Sequence, residues 1–356
     1  MMKMNCLWHK LKPCGFMNCA MCHMNCTCRC IYEENRKRFS TEMNFIEIQF
    51  MERSENSWRK PISGGIAVNS QMIFPLLKKS SDCKGMIKMS INQKITAYDR
   101  VTEARKSQRP MGGYFVDRMI DNFVEFHGDR RFGDDSAIIG GIGFLNGIPV
   151  TVIAMERGNT VEERMKRHFG CPTPEGYRKA LRLMKEAEKF KRPVICFIGS
   201  SGAYCGIDAE ERGQGEAIAE NLYEMMTLKT PVISVVVGEG GSGGALALGV
   251  CDTCVMLENS VYSVISPEGC ASILWKDSAK APEAANALKL TAQDLFKFEI
   301  AEKIIDEQDK TSEEICSDLK KFLVAEIKAK QELSVEELLN CRYNKFRKIG
   351  AVSEEK

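Results

Sequence analysis

Val232–Leu248 reads VISVVVGEGGSGGALAL. A β-branched run passes into seven residues that hold five glycines, Gly238, Gly240, Gly241, Gly243 and Gly244, and an alanine- and leucine-rich helix start follows. Strand, glycine turn and helix in that order bring bare backbone up to a ligand, because residues without Cβ tolerate positive φ and close approach. The first amides of the helix have no acceptor one turn back and point outward at negative charge. A phosphate or a developing oxyanion suits such a turn.

Three readings compete for it. Gly238-Glu239-Gly240-Gly241-Ser242-Gly243 fits the dinucleotide pattern G-x-G-x-x-G, with Glu258 at a strand end where a ribose acid belongs. The helix, however, has only Gly243 to about Cys251 before the next strand, TCVML at Thr253–Leu257, which is short for a cofactor-binding unit. Gly240–Gly244 also fits the nucleophile elbow G-x-S-x-G, which would make Ser242 a nucleophile and requires a later histidine. The four histidines, His9, His23, His127 and His168, all precede Ser242. What survives is an anion cradle made of backbone, or close packing of helix on sheet.

A second junction of the same kind lies upstream. Lys191–Gly206 reads KRPVICFIGSSGAYCG: a basic helix end, Pro193, a buried-type strand at Val194–Ile198, then small residues. The helix before it starts at Pro174 and Glu175, repeats Tyr177, Ala180, Leu181, Met184, Ala187 and Phe190 at helical spacing, and ends on Lys189, Lys191 and Arg192, which suit its negative end. Glu210–Leu228 carries Ala217, Ile218, Leu222, Met225 and Met226 on one face. Strand and helix alternate into VISVVV, so the chain winds an α/β fold around a parallel sheet, with small-residue loops at two strand ends. Two such loops together make a site.

Four stretches carry a family resemblance: GEGGSGGALALG at Gly238–Gly249, SVYSVISPEGCASILWKD at Ser260–Asp277, PEGYRKALRLM at Pro174–Met184 and AEERGQGEAIAENL at Ala209–Leu222. They resemble the α subunit of the bacterial, multisubunit acetyl-CoA carboxylase carboxyltransferase, and the likeness runs from about Ile95 to about Lys348. It implies a crotonase-type (ClpP/crotonase-like) superhelix of repeated ββα units and transfer of a carboxyl group from carboxybiotin to acetyl-CoA, giving malonyl-CoA for fatty acid biosynthesis. It further implies an α2β2 assembly with a zinc-ribbon β subunit, a biotin carboxyl carrier protein that brings the carboxybiotin, and a biotin carboxylase in the overall complex. In such a reaction negative charge develops on the ureido oxygen of biotin and on the thioester oxygen, and paired backbone amides stabilise both. The resemblance places the biotin-facing oxyanion hole at Gly243 and Gly244, with Gly240, Gly241, Gly202, Ala203, Tyr204 and Arg178 as substrate-binding candidates. No general base is assigned, and no metal is expected in the core. A carboxyltransferase or decarboxylase for another acyl-CoA, and a noncatalytic paralogue acting as a scaffold, stay open beside this reading.

Other residues have two readings each. Arg178, Lys179 and Arg182 at a helix start face an anionic carrier or CoA phosphates, or form a solvated face. Glu268 is a site carboxylate, or serves a cap or an interface. Tyr204 lines the biotin channel or covers the sheet, and His168 reads as a surface helix residue. Two departures from the family pattern bear on activity. Relatives read Asp-Thr-Pro-Gly-Ala-Tyr where this chain has Gly199-Ser200-Ser201-Gly202-Ala203-Tyr204, losing an acid and a stiffening proline. Relatives are also more polar around Met155–Asn159.

Residues 1–90 are a different kind of sequence. Seven of the sixteen cysteines fall in the first thirty positions, interleaved with methionines. Cys19-x-x-Cys22 with His23 and Cys26 invites zinc, but no second matched pair stands at the usual spacing. The stretch is expected to be a disordered tail or an over-extended reading frame, with the carboxyltransferase domain and its helical C-terminal part at 91–349 and a tail at 350–356. Met86-Ile87-Lys88-Met89 has the residues of a biotinylation site in the wrong order, so biotin must come from a partner. The 50 basic and 48 acidic residues nearly cancel, which removes any whole-chain drive toward nucleic acid. No apolar run reaches membrane-spanning length. Cys171, Cys196, Cys205, Cys251, Cys254 and Cys270 lie singly, as reduced cytoplasmic packing would have them.

Overall fold

The computed structural model describes residues 95–350. The cysteine-rich stretch, its zinc reading, the Met86–Met89 match and the tail beyond Gly350 lie outside the described residues. The strands are β1 (Ile120–Glu125), β2 (Ile138–Leu145), β3 (Ile148–Met155), β4 (Val194–Ser200), β5 (Val232–Gly241), β6 (Thr253–Leu257), β7 (Val261–Ser263) and β8 (Lys303–Ile305). The helices are α1 (Ala97–Arg105), α2 (Gly112–Met119), α3 (Val161–Lys166), α4 (Pro174–Lys189), α5 (Ile207–Glu211), α6 (Gln214–Thr227), α7 (Ser242–Leu246), α8 (Pro267–Trp275), α9 (Ala281–Leu288), α10 (Ala292–Lys297), α11 (Ser312–Gln331) and α12 (Val335–Lys348).

One eight-stranded sheet runs in the order β1-β2-β3-β4-β5-β6-β8, and β7 pairs with the far end of β5. β1, β2 and β3 are antiparallel, and β3 onward is parallel. The sequence pattern pointed to the parallel part alone; the antiparallel edge comes from hairpin pairing of Ile138–Leu145 with Ile148–Met155. Side chains alternate across the parallel strands. Cys196 and Ile198 of β4 face one core with Tyr177, Leu183 and Met184 of α4, while Ile195 and Phe197 face the other with Phe115 of α2 and Leu319 of α11. Both faces are therefore covered by helices, which explains why these strands are apolar at every position.

Local chemistry sets the helix starts. Thr96 with Asp99, Thr291 with Asp294, Thr311 with Glu314 and Ser334 with Glu337 form reciprocal capping boxes. The single helix expected over Glu210–Leu228 is two, α5 and α6, because Gly213 takes φ +83° and breaks the turn between them. The C-terminal part is helical as expected, apart from β8, whose three residues extend the sheet beside β6.

Candidate active site at two facing strand ends

The glycine turn differs from its reading in where the special conformation falls. β5 continues through Gly241, pairing Glu239, Gly240 and Gly241 with Val261, Tyr262 and Ser263 of β7, so the first half of the expected loop is strand. None of its five glycines has positive φ; the left-handed residue is Ser242, at φ +53°. The glycines serve close approach instead. A Cβ on Gly241 would overlap the Ser201 carbonyl, and one on Gly244 would stand 2.5 Å from the Ala203 nitrogen and 2.9 Å from the Tyr177 hydroxyl. One on Gly240 would stand 2.9 Å from the Tyr262 ring. The two small-residue strand ends thus pack directly on each other, and Gly202, Ala203, Gly240, Gly241, Gly243 and Gly244 come together as the sequence suggested.

Side chains from below fix α7 in place. Tyr177 donates to the Gly244 carbonyl at 3.2 Å, and Asn221 donates to the Ala247 carbonyl at 3.2 Å. Burial pushes the Tyr177 hydroxyl far above its ordinary range, so it stays a donor. The Gly243 and Gly244 amides sit in the first turn of α7, where no helical acceptor exists, and among the described residues no side chain or loop carbonyl takes either. Gly244 is buried and Gly243 half-buried. A Cβ at Gly243 would meet only the Ile218 Cγ2 atom, at 3.7 Å, so this position opens outward. A cavity of about 470 Å³ begins there, walled by Leu246, Tyr262, Leu295, Ile300 and Phe346.

The altered loop after β4 supplies its own bonds. Ser200 Oγ accepts from the Gly202 amide at 3.1 Å and donates to the Gly202 carbonyl at 2.6 Å, a local closure made without the missing acid. Cys171 Sγ and Ser201 Oγ lie 3.4 Å apart. Tyr204 packs on His168 with ring centroids 4.5 Å apart and the planes tilted by 38°, and its amide donates to the Pro172 carbonyl. His168 is not a surface helix residue: it starts a 3-10 turn at φ +48°, half-buried against Tyr204.

The charged candidates have partners within the chain. Lys179 is fully buried, bonded to Asp134 Oδ1 at 2.6 Å and to the Asp135 carbonyl, which corrects the solvated-face reading. Arg178 binds Asp129 at 2.7 Å and Glu175 at 3.1 Å, and Arg182 binds the Gly128 carbonyl and Glu186. None of these partners belongs to the glycine turn. Glu268 sits in the first turn of α8, whose cap is Ser266, and binds Arg105 at 2.7 Å and the Tyr98 hydroxyl at 3.1 Å. Arg105 also holds Glu239 at 2.7 Å, tying α1 to the strand just before the turn. Sequence spacing gives no sign of this clamp, because its members lie 134 and 163 residues apart. Glu258, the would-be ribose acid, pairs with Arg100 at 3.2 Å and accepts from the Glu307 amide. Among the described residues no group of three His, Cys, Asp or Glu is placed to hold a metal.

Comparison with known proteins decides between the readings of this turn. Residues 66–350 match the family model described as acetyl co-enzyme A carboxylase carboxyltransferase-like. The chain belongs to that family. It is 56% identical over 266 residues to the Clostridium acetobutylicum acetyl-coenzyme A carboxylase carboxyl transferase subunit alpha, covering 74% of this chain and 97% of that one. The Ruminiclostridium cellulolyticum subunit alpha is 54% identical over 260 residues, covering 73% of this chain and all of the relative. A Clostridium tetani relative named as carboxyl transferase subunits beta/alpha is 50% identical over 289 residues, covering 78% of this chain; the chain spans half of that relative's length. Among solved structures, a Pseudomonas malonate decarboxylase hetero-tetramer in complex with malonate superposes with TM-score 0.52 at 15% identity, covering 73% of this chain and 96% of that one, which is a likeness of fold. The crotonase-type architecture and the carboxyltransferase family are thus as the four motifs implied. The dinucleotide and hydrolase readings of the turn fall away.

Proposed function

We propose that the chain is the α subunit of an acetyl-CoA carboxylase carboxyltransferase, moving the carboxyl group of carboxybiotin, carried by a partner protein, onto acetyl-CoA to form malonyl-CoA. The observation that carries this reading is the pair of first-turn amides at Gly243 and Gly244, held by Tyr177 and by the Ser200–Tyr204 loop beside an apolar cavity. Carboxybiotin supplies a carboxyl group on a ureido nitrogen. The residues fit it: unused amides for the ureido oxygen, and an apolar wall for the ring and its arm. In this reading the amides of Gly243 and Gly244 bind the oxygen as its charge grows. The packed loops keep the amides from reorganising, and Ser242 turns the backbone to aim them. Gly240, Gly241, Gly202 and Ala203 shape the turn, Tyr204 borders it, and Arg178 remains a candidate for an anionic group on the carrier.

A β subunit of the zinc-ribbon type completes the thioester side in an α2β2 assembly, and biotin carboxylase charges the carrier. Relatives that join beta and alpha in one chain support that partnership. Among the described residues no helix is long and apolar enough to cross a membrane; we place the enzyme in the cytoplasm and its catalytic domain at residues 91–349.

The test is malonyl-CoA formation by the full-length chain and by a chain started at Met86, each coexpressed with the β subunit and given carboxylated carrier and acetyl-CoA. Activity in both supports the assignment and makes residues 1–85 dispensable. A complex that assembles and stays silent in both overturns it in favour of another acyl-CoA or a scaffold.

A further inference from the structure

α1 reaches the glycine turn by two routes. Its apolar residues Val101 and Ala104 are buried in one cluster with Val261, Ala285 and Leu290. Val261 is the β7 residue that pairs with Glu239 of β5, and Arg105 at the end of α1 binds the Glu239 carboxylate, Nε to Oε1 at 2.7 Å. One helix therefore holds both members of a strand pair, a single residue ahead of Gly240. The other end of the same guanidinium grips α8: Nη1 and Nη2 donate to the two Glu268 oxygens at 2.7 and 3.3 Å, and the Tyr98 hydroxyl of α1 adds a bond to Glu268 at 3.1 Å.

The backbone after α1 is fastened as well. Arg157, just past β3, donates to the Arg105 and Lys106 carbonyls, Arg164 of α3 donates to the Ser107 carbonyl at 3.4 Å, and Arg109 donates to the Val237 carbonyl of β5 at 2.6 Å. Arg105 is thus fixed through main chain and side chain, which lets its guanidinium set where Glu239 stands. Arg105, Glu239, Gly241 and Ser242 line one cavity of about 60 Å³, so the ion pair and the turn border the same space. One guanidinium there serves two carboxylates, and its removal leaves Glu239 and Glu268 as like charges beside the turn.

We propose that Arg105 is a positioning residue for carboxyl transfer, acting through Glu239 to hold the end of β5 from which the Gly243 and Gly244 amides are aimed. Its effect passes along the chain from Glu239 to Ser242. With the carboxylate held, Glu239–Gly241 stay paired to β7, and the reversal at Ser242 starts from a fixed point. Released, the strand end shifts and the amides lose their aim on the oxyanion, where a misplacement of about 1 Å costs roughly a hundredfold in rate. The catalytic half of this inference rests on the function proposed above; the hold of Arg105 on the turn does not.

The test takes Arg105→Met, Glu239→Gln and the double variant as full-length chains in complex with the β subunit, and measures malonyl-CoA formation from carboxylated carrier and acetyl-CoA. Expected for Arg105→Met is a kcat lowered roughly ten- to a hundredfold with KM for the carrier close to wild type. The double variant should lose no more than Arg105→Met alone, because both changes remove one contact. A kcat equal to wild type with a lowered urea midpoint would make the clamp a tie for stability and overturn the positioning role, as would a change confined to KM or losses that multiply in the double variant. Hydrogen exchange gives a readout that needs no turnover. Amides of Glu239–Leu248 should exchange faster in Arg105→Met while those of β2 keep wild-type protection, and unchanged protection at the turn would overturn the hold itself. A wild-type complex that makes no malonyl-CoA would overturn the function instead, and faster exchange beside that silence would uphold the hold alone.

Discussion

Tyr177 of α4 donates its hydroxyl to the Gly244 carbonyl across 3.2 Å, so a helix that reads as sheet cover also holds the first turn of α7. The ring is fully buried and belongs to the same core as Ile198, Ala217 and Ala245. Orientation of the candidate amides thus depends on a side chain that never faces solvent.

Tyr177→Phe keeps the ring and removes the donor. A buried carbonyl left without its partner costs about 1–3 kcal/mol. The expected outcome is a folded variant with a lowered urea midpoint, an unchanged m-value and reduced malonyl-CoA formation. A midpoint equal to wild type would show that another donor already serves Gly244.

Gly243 and Gly244 should separate by phenotype although they are neighbours. A Cβ at Gly244 would drive into the backbone of Gly202 and Ala203, so Gly244→Ala overpacks the junction and costs about 1–3 kcal/mol. Gly243 has only ordinary contact with Ile218. Gly243→Val should therefore fold and assemble with the β subunit while its branched side chain crowds the amide pair and the cavity. A rate loss on the order of a hundredfold is expected, the scale of losing one oxyanion donor. Untouched malonyl-CoA formation by an intact complex would remove Gly243 from the site.

The parts of the fold that could be read in the sequence are those set by local pattern. Thr253–Leu257 is a strand to the residue, Val194–Ile198 extends by two residues, and the helix begins at Pro174 as its proline signals. Long-range partners were invisible. Lys179 reads as a contact for an anionic group or as part of a solvated face, and no role is read for Arg342, yet both side chains are fully buried against carboxylates 45 and 90 residues away in sequence. The special turn was legible as a cluster of glycines, but which residue takes positive φ was not. Strand pairing with β7 holds Gly240 and Gly241 extended, and the reversal passes to Ser242.

Arg342 gives the stability prediction of largest size. Its guanidinium binds Asp252 at 2.7 and 2.8 Å and also donates to the carbonyls of Met225, Leu228 and Thr230, so one side chain joins α12 to the end of α6 and the start of β5. Arg342→Met leaves a buried carboxylate and three carbonyls without that partner, and breaking a buried pair from one side costs about 3–5 kcal/mol. Denaturant unfolding should show a loss of that size. Asp252→Asn combined with Arg342→Met should recover part of it, since no unpaired charge then remains, and failure of the double variant to recover any would place the cost in lost packing instead.

Acid should loosen the loop that precedes β2 before it loosens the sheet. Burial opposes ionisation of Asp129, but the Phe132 and Arg131 amides and the Arg178 guanidinium outweigh it and hold the carboxyl down to about 2; Asp134, also opposed by burial, is held to about 2 by Lys179 and the Gly128 amide. Both folded values lie below the ordinary carboxylate range near 4. Their stabilisation is therefore complete above that range and is lost as pH falls from about 4 toward 2. Asp129→Asn removes one of the two groups, so the variant should be less stable than wild type at pH 6 and the gap should narrow as the pH approaches 2. Unfolding free energies of both proteins across that window decide it: a gap that stays constant with pH would show that Asp129 contributes through neutral hydrogen bonds and not through its charge.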